Sequence, residues 1–228
     1  MCGRFVLTTP AEALRQAFDF VERPNLAPRH NIAPTQDVPV IRQRKNPVGE
    51  RTIQMLRWGL VPPWAASLAG GAKMINVRAE TIMEKPAFRT AFLRRRCLVP
   101  ADGFYEWRPG DATKQPYRIS ARDGAPLAFA GLWERWSPPG EDGARPVDSF
   151  TIVTTAANSA LAPLHHRMPV VLAPADHAGW LDPAAEAPAL LALLRPAADD
   201  RLHYFPVDRR VNNVRNDDAA LLAQEPPG

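Results

Sequence analysis

The chain has 228 residues, 28 Lys/Arg against 24 Asp/Glu for a formal net charge of +4, two cysteines and 25 prolines. That length supports a hydrophobic core without disulfide staples, and proline at about twice its usual 5% excludes a bundle of long helices. No run approaches the ~18 consecutive apolar residues of a membrane span, and Met1-Cys2-Gly3-Arg4-Phe5 lacks the apolar stretch of a secretory signal, so a reducing, cytoplasmic setting with both thiols free is expected.

In chain order, Thr9-Pro10-Ala11-Glu12 predicts a helix start with Thr9 as cap and Glu12 closing a capping box, followed by Leu14, Phe18 and Val21 at helical spacing. Residues 22–35, broken by Pro24, Pro28 and Pro34, predict a loop. Strands are expected at 38–42 and 51–60, then an irregular stretch at 62–73. Lys85-Pro86 opens a helix that carries Phe88 and Phe92 and ends in Arg94-Arg95-Arg96, cations that suit a helix C-terminus. Strands follow at 97–99, 104–107, 117–120, 127–136, 150–155 and 169–172. Helices are expected at 176–181 and 187–194, and a last strand at 203–207. Strands dominate the middle with no regular βαβ alternation. The expectation is one α+β domain over 1–228 with a mostly antiparallel, barrel-like sheet core and flanking helices, a surface excursion at 183–200 and a tail at 222–228.

Charge is uneven. Residues 1–115 hold 18 Lys/Arg and 10 Asp/Glu, whereas residues 116–228 hold 10 and 14. The asymmetry points to a polyanionic partner on a surface built from the first half, although a generally arginine-rich composition explains it as well.

Cys2 carries the most chemistry. Removal of Met1 leaves a thiol and an α-amine on adjacent carbons, with ordinary pKa values of about 8.5 and 7.7–8.0, so both have a nucleophilic fraction at neutral pH. A 1,2-aminothiol takes up an aldehyde as a Schiff base and then closes a thiazolidine through sulfur. Cys2 fits equally the start of a buried strand. Three polar residues sit in apolar, strand-like runs, where burial is costly unless they are paired or used. They are Asn76 in 74–80, Glu106 between Tyr105 and Trp107, and His165 in 164–169. Glu106 between aromatics suits a general acid/base with a raised pKa, but each of the three also fits a satisfied core or rim group. Cys2, Cys97, His30, His177 and His203 lack metal-ligand spacing, so neither a metal nor another cofactor is expected.

Several blocks occur together: Met1-Cys2-Gly3-Arg4-Phe5, Asn31-Ile32-Ala33-Pro34-Thr35, Trp58-Gly59-Leu60-Val61-Pro62-Pro63-Trp64, Asn76-Val77-Arg78-Ala79-Glu80-Thr81, the run from Arg96 to Trp107, and His165-His166-Arg167-Met168-Pro169. Their order resembles the SOS response-associated peptidase (SRAP) family, whose members crosslink covalently to abasic sites in single-stranded DNA. The resemblance implies that Cys2, freed of Met1, attacks the ring-opened aldehyde. Asn76 would orient Cys2, Glu106 would act as acid/base, and His165 would assist proton transfer and stabilise the opened sugar's oxygen. The family name also suggests self-removal of Met1 or a lyase-type step. His166 takes the variable position and, on a strand, would point to the opposite face, without a role.

Phosphates and bases of single-stranded DNA call for cations and apolar surfaces; Arg4, Arg78 and Arg167 are the phosphate candidates, and Trp64 and Pro34 the base candidates. Trp58 is expected in the core. The implied partner is single-stranded DNA with abasic sites, bound at the nucleoid by a monomer, with replication or repair proteins unspecified and no membrane. Two other readings remain. One is a non-catalytic single-stranded nucleic-acid-binding module. The other is an N-terminal-nucleophile glutamine amidohydrolase, which shares only the opening Cys-Gly.

Overall fold

Apolar segments rich in β-branched and aromatic residues, cut short by proline and glycine, become short strands rather than helices. The computed structural model describes residues 2–44, 49–108, 115–140 and 143–225. Among them are strands β1 (Phe5–Leu7), β2 (Arg29–Ile32), β3 (Asp37–Gln43), β4 (Arg51–Trp58), β5 (Asn76–Arg78), β6 (Arg96–Ala101) and β7 (Gly103–Trp107). They continue with β8 (Pro116–Ala121), β9 (Leu127–Trp136), β10 (Val147–Ala156), β11 (Arg167–Pro169), β12 (Val171–Leu172) and β13 (Leu202–Pro206). The α-helices are α1 (Ala11–Phe18), α2 (Pro86–Arg94), α3 (His177–Leu181) and α4 (Ala187–Ala192).

Five strands close on themselves. β4 pairs β3, β3 pairs β6, β6 pairs β9 and β9 pairs β10, all antiparallel, and β10 returns to β4 in parallel at Ser149↔Arg57 and Phe150↔Trp58. Closure leaves the ring without an open edge. β5 and β11 add to β10, and β12 to β9. A second sheet runs β13-β8-β7-β1-β2. Aromatic rings join the two: Phe5 meets Trp58 at 5.1 Å and Phe129 at 6.2 Å between centroids, and Phe104 meets Phe129 at 5.8 Å. Trp58 is fully buried, as expected. The expected α+β class with a barrel-like, mostly antiparallel core is the architecture observed.

Several local expectations change. Helix α1 starts one residue later, with Pro10 as its cap residue and no side-chain cap. Glu12 pairs instead with Arg15 along the helix. The Thr8 and Thr9 amides and hydroxyls all donate to the Asp102 carboxylate, at 2.5–2.8 Å. A carboxylate from a distant turn outcompetes the local box because it satisfies four donors at once and is charged. Asp19 takes a left-handed conformation (φ 53°) and ends the helix, which leaves Val21 exposed. The expected loop at 22–35 contains β2, recruited by pairing with β1. In the arginine run, Arg96 donates to the Phe92 carbonyl at the end of α2, and to Trp180 and Asp182 carbonyls.

Most of 183–200 is exposed, and Leu190 and Leu194 anchor the stretch in the main core. Gln224 bridges Val207 and the Glu225 amide donates to the Pro206 carbonyl, which pins the part of the expected tail up to residue 225; residues 226–228 lie outside the described residues. No helix among the described residues is long and apolar enough to cross a membrane.

Asp102 ties the segment after β1 to the turn that leads into β7, the two strands that carry the N-terminus and Glu106. Replacing it with Ala strands up to four donors, two of them backbone. Urea unfolding should show Asp102→Ala destabilised by about 3 kcal/mol and Asp102→Asn by roughly half as much, since Asn keeps one acceptor oxygen. Equal loss in both variants would place the effect elsewhere.

Candidate active site

The site lies where the N-terminal segment crosses β5, β7 and the turn before β11. Cys2 is completely buried at the edge of the main core. Burial first, and the Glu106 charge second, hold its thiol well above the ordinary cysteine range, so the thiolate is not the resting form.

Asn76 opens β5 and reaches the N-terminal segment directly: its Nδ2 donates to the Cys2 carbonyl at 2.8 Å. Its Oδ1 is buried and has no hydrogen-bond partner among the described residues, so an acceptor is aimed into the site. The strand under it is firmly held. The Ile75 carbonyl accepts from the Trp58 indole and the Ile152 amide, both at 3.0 Å, and Asn76 pairs with Ile152 of β10. Upstream, Gly59 (φ 117°) lies against Gly71, and a Cβ on Gly59 would fall 2.5 Å from the Gly71 carbonyl oxygen. That close approach lets the segment 59–75 fold back into register with β10.

Glu106 projects from β7 to the same interior face as Phe104 and is 5% exposed. Burial raises its pKa above the usual carboxylate range, and His166 is among the charges that pull it partly back. A carboxyl in this state stays protonated to higher pH than a free one, which suits a general acid.

His165 stands in the turn between β10 and β11, half-buried. The Arg167 amide donates to its Nδ1 at 2.9 Å, which in the neutral ring leaves the proton on Nε2. Burial lowers its pKa. His166 does not lie on a strand and does not point away. Both histidines precede β11, and their rings stack at 4.4 Å with planes 25° apart. The alternation rule fails there because the backbone is a bend, not a pleat.

The five residues expected at DNA divide. Arg78 and Trp64 are exposed, Trp64 at 65%, and Pro34 is half-buried. Arg167, in contrast to the expected open phosphate contact, is buried: its guanidinium makes a bidentate pair with Glu80 at 2.7 and 2.9 Å and donates to the Thr154 carbonyl at 2.7 Å. Arg4 likewise turns inward, to Asn31 Oδ1 at 2.9 Å and the Val211 carbonyl at 2.8 Å. In both, fixed acceptors within reach, backbone carbonyls with a carboxylate or a side-chain amide oxygen, hold the guanidinium.

Two contributors carry no sequence signal beyond their place in a block. Glu80 fixes Arg167, and so links β5 to the His165 turn. Asn31, fully buried, donates to the Val211, Asn213 and Asn216 carbonyls at 2.8–3.2 Å and latches the C-terminal segment against Arg4, two residues from Cys2.

This arrangement joins an N-terminal thiol, an amide that grips its backbone, a buried carboxyl and a neutral imidazole. The family model described as SOS response associated peptidase (SRAP) matches residues 1–214. The chain belongs to the SRAP family. A SRAP relative called abasic site processing protein YoaM, from Bacillus subtilis, is 41% identical over 230 residues, 99% of each chain. Another, HMCES of Gallus gallus, is 33% identical, covering 97% of this chain and 77% of its own. A crystal structure of a protein from Bacteroides thetaiotaomicron superposes with a TM-score of 0.85 at 28% identity over 98% of this chain and all of its own. The SRAP match takes in Cys2, Asn76, Glu106 and His165 together.

Proposed function

We propose that this protein captures abasic sites in single-stranded DNA by covalent attachment to Cys2, shielding the lesion. The observation that carries the reading is Asn76 gripping the Cys2 carbonyl beside buried Glu106. It orients the N-terminal residue toward a site with its own acid/base. Removal of Met1 comes first, because an acylated nitrogen cannot form an imine; purified protein still bearing Met1 should lose that residue's mass on standing if the removal is its own.

The opened deoxyribose presents an aldehyde. The Cys2 amine adds to its carbon as one amine proton passes to the oxygen; water then leaves with a second proton supplied by Glu106, whose carboxylate takes back the remaining proton from nitrogen to give the imine. The sulfur then adds to the imine carbon while the thiol proton passes to nitrogen, which closes a five-membered thiazolidine. No oxidant or reductant is consumed. Asn76 Oδ1 accepts from the nitrogen that carries the proton, and neutral His165 donates Nε2–H to the oxygen of the opened sugar. Arg78 supplies a phosphate contact, and Trp64 and Pro34 supply base contacts. Arg4 and Arg167 act from inside the fold by holding the N-terminal segment and the His165 turn.

The deciding experiment incubates protein of verified N-terminal mass with single-stranded DNA bearing one abasic site, followed by a denaturing gel and intact-mass analysis. An adduct is expected on abasic DNA and none on unmodified DNA. Binding without an adduct would assign a non-covalent nucleic-acid module, and glutamine hydrolysis in its place would assign an amidohydrolase.

A further inference from the structure

Far along the chain from Cys2 and Glu106, segment 211–217 is fastened to both strands on which they depend. Val211 is fully buried in a small cluster with Val6 of β1 and Tyr105 of β7, the residue before Glu106. Beside it, Arg4, Asn31 and Val211 close a triangle. The Arg4 guanidinium donates to Asn31 Oδ1 at 2.9 Å and to the Val211 carbonyl at 2.8 Å, and Asn31 Nδ2 donates to the same carbonyl at 3.2 Å. Asn31 Nδ2 also faces the Asn213 and Asn216 carbonyls. At the other end of the segment, Asp217 Oδ1 accepts from the His30 and Asn31 amides. β7 joins twice: Tyr105 donates its hydroxyl to the His30 carbonyl at 2.7 Å and its amide to the Arg4 carbonyl at 3.0 Å.

We infer that Asn31 is a positioning residue for the reaction: by clamping segment 211–217 onto Arg4, it fixes where Cys2 stands relative to Glu106. The inference rests on the proposed roles of those two residues. Both polar atoms of the Asn31 side chain are engaged, and full burial leaves no water to compete for them, so the clamp holds one geometry. Arg4 passes that geometry on, because its backbone hydrogen-bonds the Cys2 sulfur. Proton transfer by Glu106 requires heavy atoms within hydrogen-bond reach, and a misplacement of about 1 Å costs roughly 100-fold in rate. Asn31 is buried away from any DNA, so it acts on rate through geometry and not on affinity.

Two variants open the clamp from opposite ends. Asn31→Asp keeps the shape and the oxygen that faces Arg4 but turns a second oxygen toward the three carbonyls. Asp217→Ala releases the His30 and Asn31 amides, and either variant decides alone if the other does not fold. DNA-free protein is treated with a pyridyl disulfide, and labelling of Cys2 and Cys97 is followed separately by peptide mass. Both thiols are fully buried, so Cys97 on β6 reports on the main core. Cys2 labelling should rise about tenfold while Cys97 labelling stays within about twofold of wild type. In single-turnover crosslinking at saturating abasic DNA, the rate constant should fall about tenfold, with amplitude and DNA affinity kept. Unchanged Cys2 labelling overturns the inference, as does equal acceleration at both thiols, the mark of a general loss of stability. A loss of amplitude or affinity at an unchanged rate constant overturns it too. If the wild-type protein forms no adduct at all, the proposed function fails, while the labelling comparison still decides whether Asn31 fixes Cys2.

Discussion

A Cys2→Ala protein lacking Met1 should form no denaturation-stable adduct with abasic DNA, yet become attached to it when borohydride is present. Alanine keeps the α-amine and loses only the sulfur. The imine still forms but hydrolyses when the complex is denatured, because nothing closes the ring; hydride reduction converts it into a stable amine. The stable adduct without reductant should fall by at least about 100-fold relative to wild type, and the trapped adduct should return to a similar level. Attachment that resists denaturation without reductant would remove sulfur from the mechanism. The buried, protonated resting thiol makes the order of events specific. In the proposed mechanism the amine reacts first, and sulfur loses its proton only as it adds to the imine.

Glu106→Gln should slow crosslinking by about 10²- to 10⁴-fold, the range for loss of a general acid/base. Gln matches the carboxyl in shape but cannot transfer a proton. Burial raises the Glu106 pKa, so the protonated acid persists above the usual carboxylate range and is lost as pH rises through that raised value. A plot of log rate against pH should therefore show a limb in wild type that is absent from the Gln variant. The melting midpoint of Glu106→Gln at pH 7 should not fall, since the substitution removes a carboxylate from an apolar setting. A slow variant that also melts well below wild type would mark Glu106 as structural. One that crosslinks at the wild-type rate would exclude it from the proton transfers.

Much of the fold was legible because it rests on local pattern. The strands at 97–99, 104–107, 127–136 and 150–155 are apolar runs bounded by proline, glycine and charge, and they appear as β6, β7, β9 and β10. The helix opened by Lys85-Pro86 begins and ends near its signals. What failed was decided between distant segments. β2 is too short and polar to be read as a strand and exists because β1 lies beside it. Thr9 and Glu12 form an apt capping box by themselves, and Asp102, 93 residues from Thr9, takes the Thr9 donors.

The site divides in the same way. Residue chemistry and the order of the blocks single out Cys2, Asn76, Glu106 and His165 from the sequence, because an aminothiol and polar groups in apolar runs are conspicuous in any fold. Only the tertiary structure decides that Asn76 reaches the Cys2 carbonyl, that Arg4 and Arg167 turn inward, and that His166 stacks on His165 instead of facing away. Each of these depends on a partner far along the chain or on a backbone bend that periodicity does not encode. A cation or an imidazole goes to whatever desolvated acceptor or ring the fold has brought within reach.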